Sequence, residues 1–325
     1  MTIKTIKTAI LLVLVLLNNS VLAQEPLTQE EVFGWFETLS NWGRWGANDQ
    51  LGTVNNITEE TRVAAAGLVE TGVSVSMAHE ILTEVAADNG NPYDHRMTSV
   101  GSSPGPWSGD FIGVSYHGYA HSHLDALCHR FQFGTMYNGY SEDEVTEAGC
   151  AQLAITSFAN GIFGRGIVMD FPRLRGVDWL DNGTAITPEW LEEWEQEHGI
   201  TIGQGDIVLI RTGRWPRREA LGPWDLSQNS AGLHATSVKW FKERNIAIIG
   251  SDSALDVKPS GVENFPQPVH ALVLVALGMP IFDNLDLEAV AEEAAQHGRP
   301  EFLLTTAPLR VGGGTGSPLN PIATF

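Results

Sequence analysis

The chain has 325 residues, 43% of them hydrophobic and 18% charged, which is enough to bury a full globular core and argues against a fibre, repeat array or disordered tail. Thirty-nine acidic against 19 basic residues give a formal charge of −20. Such an excess repels phosphate backbones and anionic headgroups, so no nucleic acid and no membrane surface is expected as a partner.

At the N-terminus, Lys4 and Lys7 precede an apolar run from Ala9 to Leu17, and Val21-Leu22-Ala23 places small residues before Gln24. This layout predicts a signal peptide over 1–23 and a secreted or periplasmic protein, off the membrane once the signal is removed. The run is about half the roughly 20 residues that a bilayer span needs, so an uncleaved anchor is the weaker reading. Two lysines and no acid leave with it, so the remainder is more acidic still. Only Cys128 and Cys150 are available for a disulfide; a pair and a free thiol at Cys128 are both open readings.

An N-terminal arm is expected over 24–55. Within it, Thr28 to Leu39 carries early acids and apolar Val32, Phe33, Trp35 and Phe36, as an amphipathic helix does. Trp42 to Asn55 is turn-rich and aromatic, and Trp45 is a candidate wall of a pocket. Thr58 to Leu68 reads as a helix and Val73 to Met77 as a strand. Ala87 to Asp110, rich in Gly, Pro, Ser and Asn, reads as a long loop. Its Gly101-Ser102-Ser103-Pro104-Gly105 matches a nucleophile elbow only formally, because no strand precedes it and Pro104 and Pro106 follow.

Downstream, strands are expected at Gly166 to Phe171, Gly205 to Arg211 and Ile246 to Ile249. Helices are expected from Thr187-Pro188-Glu189 to Gly199 and from Ala235 to Arg244. Ala271 to Leu277 and Phe302 to Leu309 are further apolar segments. The alternation predicts one α/β domain over 56–325, with a mixed sheet.

Four of the ten histidines fall between His117 and His129. Positions 117, 119, 121, 123 and 125 share parity, so an extended backbone would project His117, His121, His123 and Asp125 from one face. Imidazole and carboxylate converging in this way are ligands for zinc or manganese. Elsewhere, Asp252 at a strand end could orient a ligand imidazole. Arg211 could hold a substrate carboxylate or pair with an acid, and His234 could line a pocket or cap the helix that follows.

Ser122-His123-Leu124-Asp125-Ala126-Leu127-Cys128-His129 lies on the second half of the pattern His-x-Gly-Thr-His-x-Asp-x-Pro-x-His. By these residues the chain resembles the cyclase family of metal-dependent hydrolases, which includes bacterial kynurenine formamidase and isatin hydrolase. Further similar segments are Trp45 to Asn55, Val208 to Gly213, Gly232 to Ser253, His270 to Leu285 and Ala307 to Pro318. The resemblance implies a single cyclase-like swivelling β/α domain, with one or two divalent ions of zinc or manganese.

It further implies that His123, Asp125, His270 and Asp283 are ligands, with Asp125 able to touch both metals and His129 the proton donor and acceptor. Tyr119 stands where the pattern has its first histidine, His121 where it has glycine and Leu127 where it has proline. His117 and His121 are therefore both candidates for the missing ligand, and His117 is favoured by the His117-Gly118 pair. The implied function is a secreted, arylformamidase-like amidohydrolase, in which metal-bound hydroxide attacks a small formamide, cyclic amide or lactone. Trp42, Trp45, Trp107 and Phe111 would suit tryptophan-derived, kynurenine-type substrates. The alternatives are an exported metal-containing solute-binding protein of the same fold without turnover, and a non-hydrolytic cyclase or dehydratase. The expected partners are a small-molecule substrate and further copies of the chain in a homo-oligomer.

Overall fold

A computed structural model describes residues 27–325. The signal-peptide expectation over 1–23 and the first residues of the arm lie outside the described residues. The described helices are α1 (Gln29–Thr38), α2 (Glu59–Ala66), α3 (Phe171–Arg175), α4 (Pro188–His198), α5 (Arg214–Leu221), α6 (Ser237–Arg244), α7 (Pro268–Ala271) and α8 (Glu288–His297). The strands are β1 (Ser74–Ser76), β2 (Asp94–Ser99), β3 (Gly109–Gly113), β4 (His123–Asp125), β5 (Val145–Thr146), β6 (Gly149–Cys150), β7 (Ile162–Asp170), β8 (Ala185–Ile186), β9 (Ile207–Arg211), β10 (Gly232–Leu233), β11 (Ile248–Ser251), β12 (Ile281–Asp283), β13 (Glu301–Thr306), β14 (Gly316–Pro318) and β15 (Ile322–Thr324).

Nine strands form one mixed sheet in the order β1-β15-β13-β7-β9-β11-β12-β4-β14. Its centre, β7-β9-β11-β12, is parallel. Ile207 to Ile210 and Ile248 to Gly250 are buried there, as near-continuous apolar strands require when both sheet faces are covered. The outer pairings are antiparallel, including β4 with β12 and with β14. The α/β class with a mixed sheet is as the alternation of elements predicts.

Local chemistry explains the elements. Thr28 and Glu31 form a reciprocal capping box at the start of α1, which stabilises a helix by about 1 kcal/mol. Pro188 opens α4 and Gly199 closes it in the left-handed conformation, the usual asymmetry of helix ends. The described part of the arm lies along its own body. Phe33 of α1 meets Phe265 edge-on at 5.4 Å, and Trp42 Nε1 donates to Val275 O at 2.7 Å. The arm thus docks on the α7 region, where Leu272–Leu277 continues the helix as a wide, fully buried π turn.

Two expectations need correction. Ala87 to Asp110 is not all loop: β2 and β3 pair as a hairpin, and Gly101 to Gly105 falls in its connection. Both strands are exposed along most of their length, so no apolar alternation marks them in the sequence. The extended run expected from 117 to 125 shrinks to β4 alone, because residues 117–121 form turns. Cys128 and Cys150 form a disulfide, with Cα atoms 6.5 Å apart.

Candidate metal centre

His123 and Asp125 lie two apart on β4 and share a face. The register with β12 sets Asp283 directly opposite His123, so its carboxylate joins them. All three are buried. His270 arrives from α7, with Nε2 3.1 Å from Asp283 Oδ2. His117 arrives from the turn before β4, and its Nδ1 lies 2.9 Å from Asp125 Oδ1. His117, His123 and Asp125 form one trio and Asp125, His270 and Asp283 another, with the donor atoms of each within 4.8 Å of one another. Asp125 belongs to both.

Each imidazole is held by one nitrogen and offers the other to the cluster. His123 Nδ1 donates to His121 O at 2.7 Å, His270 Nδ1 donates to Asp256 Oδ2 at 2.5 Å, and His117 Nε2 is hydrogen-bonded to Thr315 Oγ1 at 2.9 Å. Outer partners of this kind fix the tautomer and orientation of metal-binding histidines. On the inner side, His117 Nδ1, Asp125 Oδ1 and Asp283 Oδ1 are buried without a hydrogen-bond partner. His117 Nδ1 and Asp125 Oδ1 are close but not aligned with each other. Each orphaned polar atom costs about 1–3 kcal/mol, a penalty that a shared cation removes. The nitrogen and oxygen donors fit a divalent ion.

The charges support the same geometry. Burial opposes ionisation of Asp125, yet His129 and His123 outweigh it and hold the carboxyl well below its usual range. Burial likewise opposes charge on His270, but Asp283 and Asp256 prevail and raise it to about 10. For His123, burial is overcome by Asp125 and Asp283, and its pKa rises. His129 goes the other way: burial dominates and brings it down to about 4. Its ring stacks on His117 at 3.9 Å, and its Nε2 lies 3.8 Å from Asp125 Oδ2. These groups border a cavity of about 110 Å³, which Tyr119, Arg130 and Gln267 also line.

The turn that carries His117 is tied to β12. Gly118 has φ +140°, a conformation that L side chains rarely adopt. Its carbonyl accepts from Asn284 Nδ2 at 2.8 Å, and the Tyr119 carbonyl accepts from Arg214. Arg214 also donates to Asn284 Oδ1 and to Asp88 Oδ2, both at 3.1 Å. Gly316 on β14 leaves room for the ring: a Cβ there would lie 2.5 Å from Leu124 O and 3.1 Å from His117 Cε1.

Five sequence candidates stand elsewhere. His121 turns from the cluster and donates from Nε2 to Asn91 O at 2.8 Å, because the chain is not extended at that point. Asp252 touches no imidazole: it accepts from the backbone of Thr212, Gly213 and Arg214 and from Thr212 Oγ1. Asp256 is the residue that orients His270, and it was missed because nothing local separates these two aspartates. Arg211 is bound by Asp170 and Glu288, so it is structural. His234 Nδ1 meets Thr236 Oγ1 at 2.8 Å, outside the cavity lining. Trp45 is half-buried beneath Arg44 at 4.6 Å and does not line the cavity. Tyr119, Arg130 and Gln267 were also missed as lining residues. Tyr119 carried one signal, since it stands at the position where the pattern has its first histidine.

Fold and cluster together define a mixed α/β protein with two carboxylate-linked donor sets for a divalent ion. Residues 75–256 match the family described as putative cyclase, and the chain belongs to that family. Among solved structures, one described as a novel cyclase is 34% identical, covers 88% of this chain and 100% of its own, and superposes with a TM-score of 0.80. Isatin hydrolase A from Ralstonia solanacearum is 22% identical over 82% of this chain and 97% of its own, with a TM-score of 0.57, a likeness of fold. The curated relative isatin hydrolase from Roseibium aggregatum is 29% identical over 151 residues, 44% of this chain and 53% of that protein. The match thus spans about half the length of that relative.

Proposed function

We propose that this protein is an exported metal-dependent hydrolase that cleaves the C–N bond of a small amide, either a formamide or the ring amide of a cyclic substrate. The observation that carries this reading is Asp125, a buried carboxylate shared by two donor trios in which His117 Nδ1, Asp125 Oδ1 and Asp283 Oδ1 lack partners. The isatin hydrolase likeness supports the ring-amide branch. His117, His123 and Asp125 would hold one ion, and Asp125, His270 and Asp283 a second; zinc and manganese both suit these donors. When bound, a divalent ion supplies Lewis-acid chemistry, polarising a carbonyl and acidifying water.

The remaining work belongs to the chain. Asp256 fixes His270, and Thr315 fixes His117. His129 borders the cavity and belongs to neither trio, so it is the group placed to carry a proton to the leaving nitrogen. In the overall change, the amide C–N bond breaks, a water oxygen joins the acyl carbon and a proton joins nitrogen.

The experiment is metal analysis of the purified protein, followed by assay against formamides, cyclic amides and lactones in water enriched in oxygen-18. The wild type should contain divalent metal and place solvent oxygen in the product acid. His123→Ala and Asp125→Ala should lose both metal and turnover. Ligand binding without product under every divalent metal would indicate a solute-binding protein, and product free of solvent oxygen would indicate a cyclase or dehydratase. Homo-oligomer formation is part of the proposal and is read by the mass of the protein in solution.

A further inference from the structure

Arg130 follows His129 directly, at the end of the short 3₁₀ turn Leu127–His129, with extended backbone. It lines the same small cavity as His117, Asp125 and His129. Among the described residues its guanidinium forms no ion pair, and its Nε is buried without a hydrogen-bond partner. Most other part-buried arginines hold a partner: Arg299 donates to Leu68 O and Arg217 lies over the Trp224 ring. Arg165, Arg211, Arg214, Arg218 and Arg244, all partly or fully buried, each hold at least one carboxylate. In a chain with 39 acids and 19 bases, carboxylate partners for an arginine are abundant. A part-buried guanidinium without one, lining a cavity, has a buried Nε donor unpaired and terminal donors free to take a ligand.

We propose that Arg130 is the specificity-determining residue of this site and that the substrate is an amide carrying a carboxylate, which the guanidinium grips while the amide lies at the His/Asp cluster. The inference rests on the amide-hydrolase reading above and deepens it. A guanidinium matches a carboxylate with two parallel N–H···O bonds. Gln267 lines the same cavity and adds a neutral amide to the lining. The competing role for Arg130 is electrostatic: its charge would offset Asp125, Asp256 and Asp283 and so tune metal retention, without reading the substrate at all.

The test uses formanilide and its 2-, 3- and 4-carboxylates, a set that differs only in the presence and place of the acid. In the metal-loaded wild type, kcat/KM for the best carboxylate should exceed that for formanilide by about tenfold or more, the scale of a charge-assisted hydrogen bond. Arg130→Met should reduce that ratio about tenfold or more, mainly through KM, and Arg130→Lys should restore part of it. Calorimetric binding of the same carboxylates gives a readout that needs no turnover: tight binding by the wild type, weakened about tenfold or more in Arg130→Met, supports the inference even if no formamide is cleaved. Failure of every amide to react, with that binding difference intact, counts against the hydrolase reading alone. An unchanged carboxylate-to-neutral ratio together with unchanged carboxylate binding, whether or not metal content falls, overturns the inference.

Discussion

Asp256 accepts from His270 Nδ1 and from the backbone of Val269 and His270, so one carboxylate fixes both the ring and the start of α7. Asp256→Asn should weaken metal binding by about 10–100-fold, the usual effect of losing an outer partner of a ligand histidine. Competition with a coloured chelator measures this, and wild-type affinity in the variant would show that α7 alone orients the ring. Sequence could not choose between Asp256 and Asp252, which lie four apart after β11. Leu255 lies between them at φ +50°; Asp252 meets the backbone at the α5 start and Asp256 meets His270. His117 and His121 are indistinguishable by spacing, because both readings assume an extended run from 117, whereas the strand begins only at His123.

At the scale of elements, β4 supplies two cluster residues from three positions, and its neighbours supply the rest of the geometry. The β12 register places Asp283 opposite His123; a slip of one residue would turn it to the other face. The 117–121 turn is pinned from outside by Arg214 and Asn284. Arg214 and Asp88 are both buried. Arg214→Met should therefore destabilise the fold by about 3–5 kcal/mol, the cost of leaving a buried charge short of its partner. Asp88 keeps Arg218 at 2.6 Å, so the lower end of that range is expected. The denaturant midpoint reads the change, and an unaltered midpoint would remove Arg214 from the framework. The hairpin β2–β3 shows how an element escapes notice: its strands are exposed along most of their length, so no apolar alternation marks it.

Over the whole molecule, one disulfide ties the turn that carries His129 to a separate hairpin. Cys128 sits within the 3₁₀ turn Leu127–His129 and joins it to β6 across 22 residues. A loop of that length contributes about 3 kcal/mol by restricting the unfolded chain. Replacing both cysteines with serine should lower the thermal midpoint accordingly, and the same midpoint in reduced and oxidised protein would show that the core alone suffices. The cysteine count left this pairing open, since two cysteines permit a bond but only the packed chain brings their Cα atoms to 6.5 Å.

The sequence by itself determined what is local: the parallel strand cores, the capped helices, and a histidine and an aspartate two apart that must share a face once that segment is extended. It also supplied the residue types of a metal site and the pattern that resembles a family. Tertiary structure alone decided which histidine completes the first trio, which aspartate orients His270, and which arginine stands without a partner at the cavity. The physical reason is range. Spacing along the chain controls orientation only within one strand or turn, whereas His270, Asp283, Asp256 and Asp125 come from four segments whose meeting is set by sheet register and core packing.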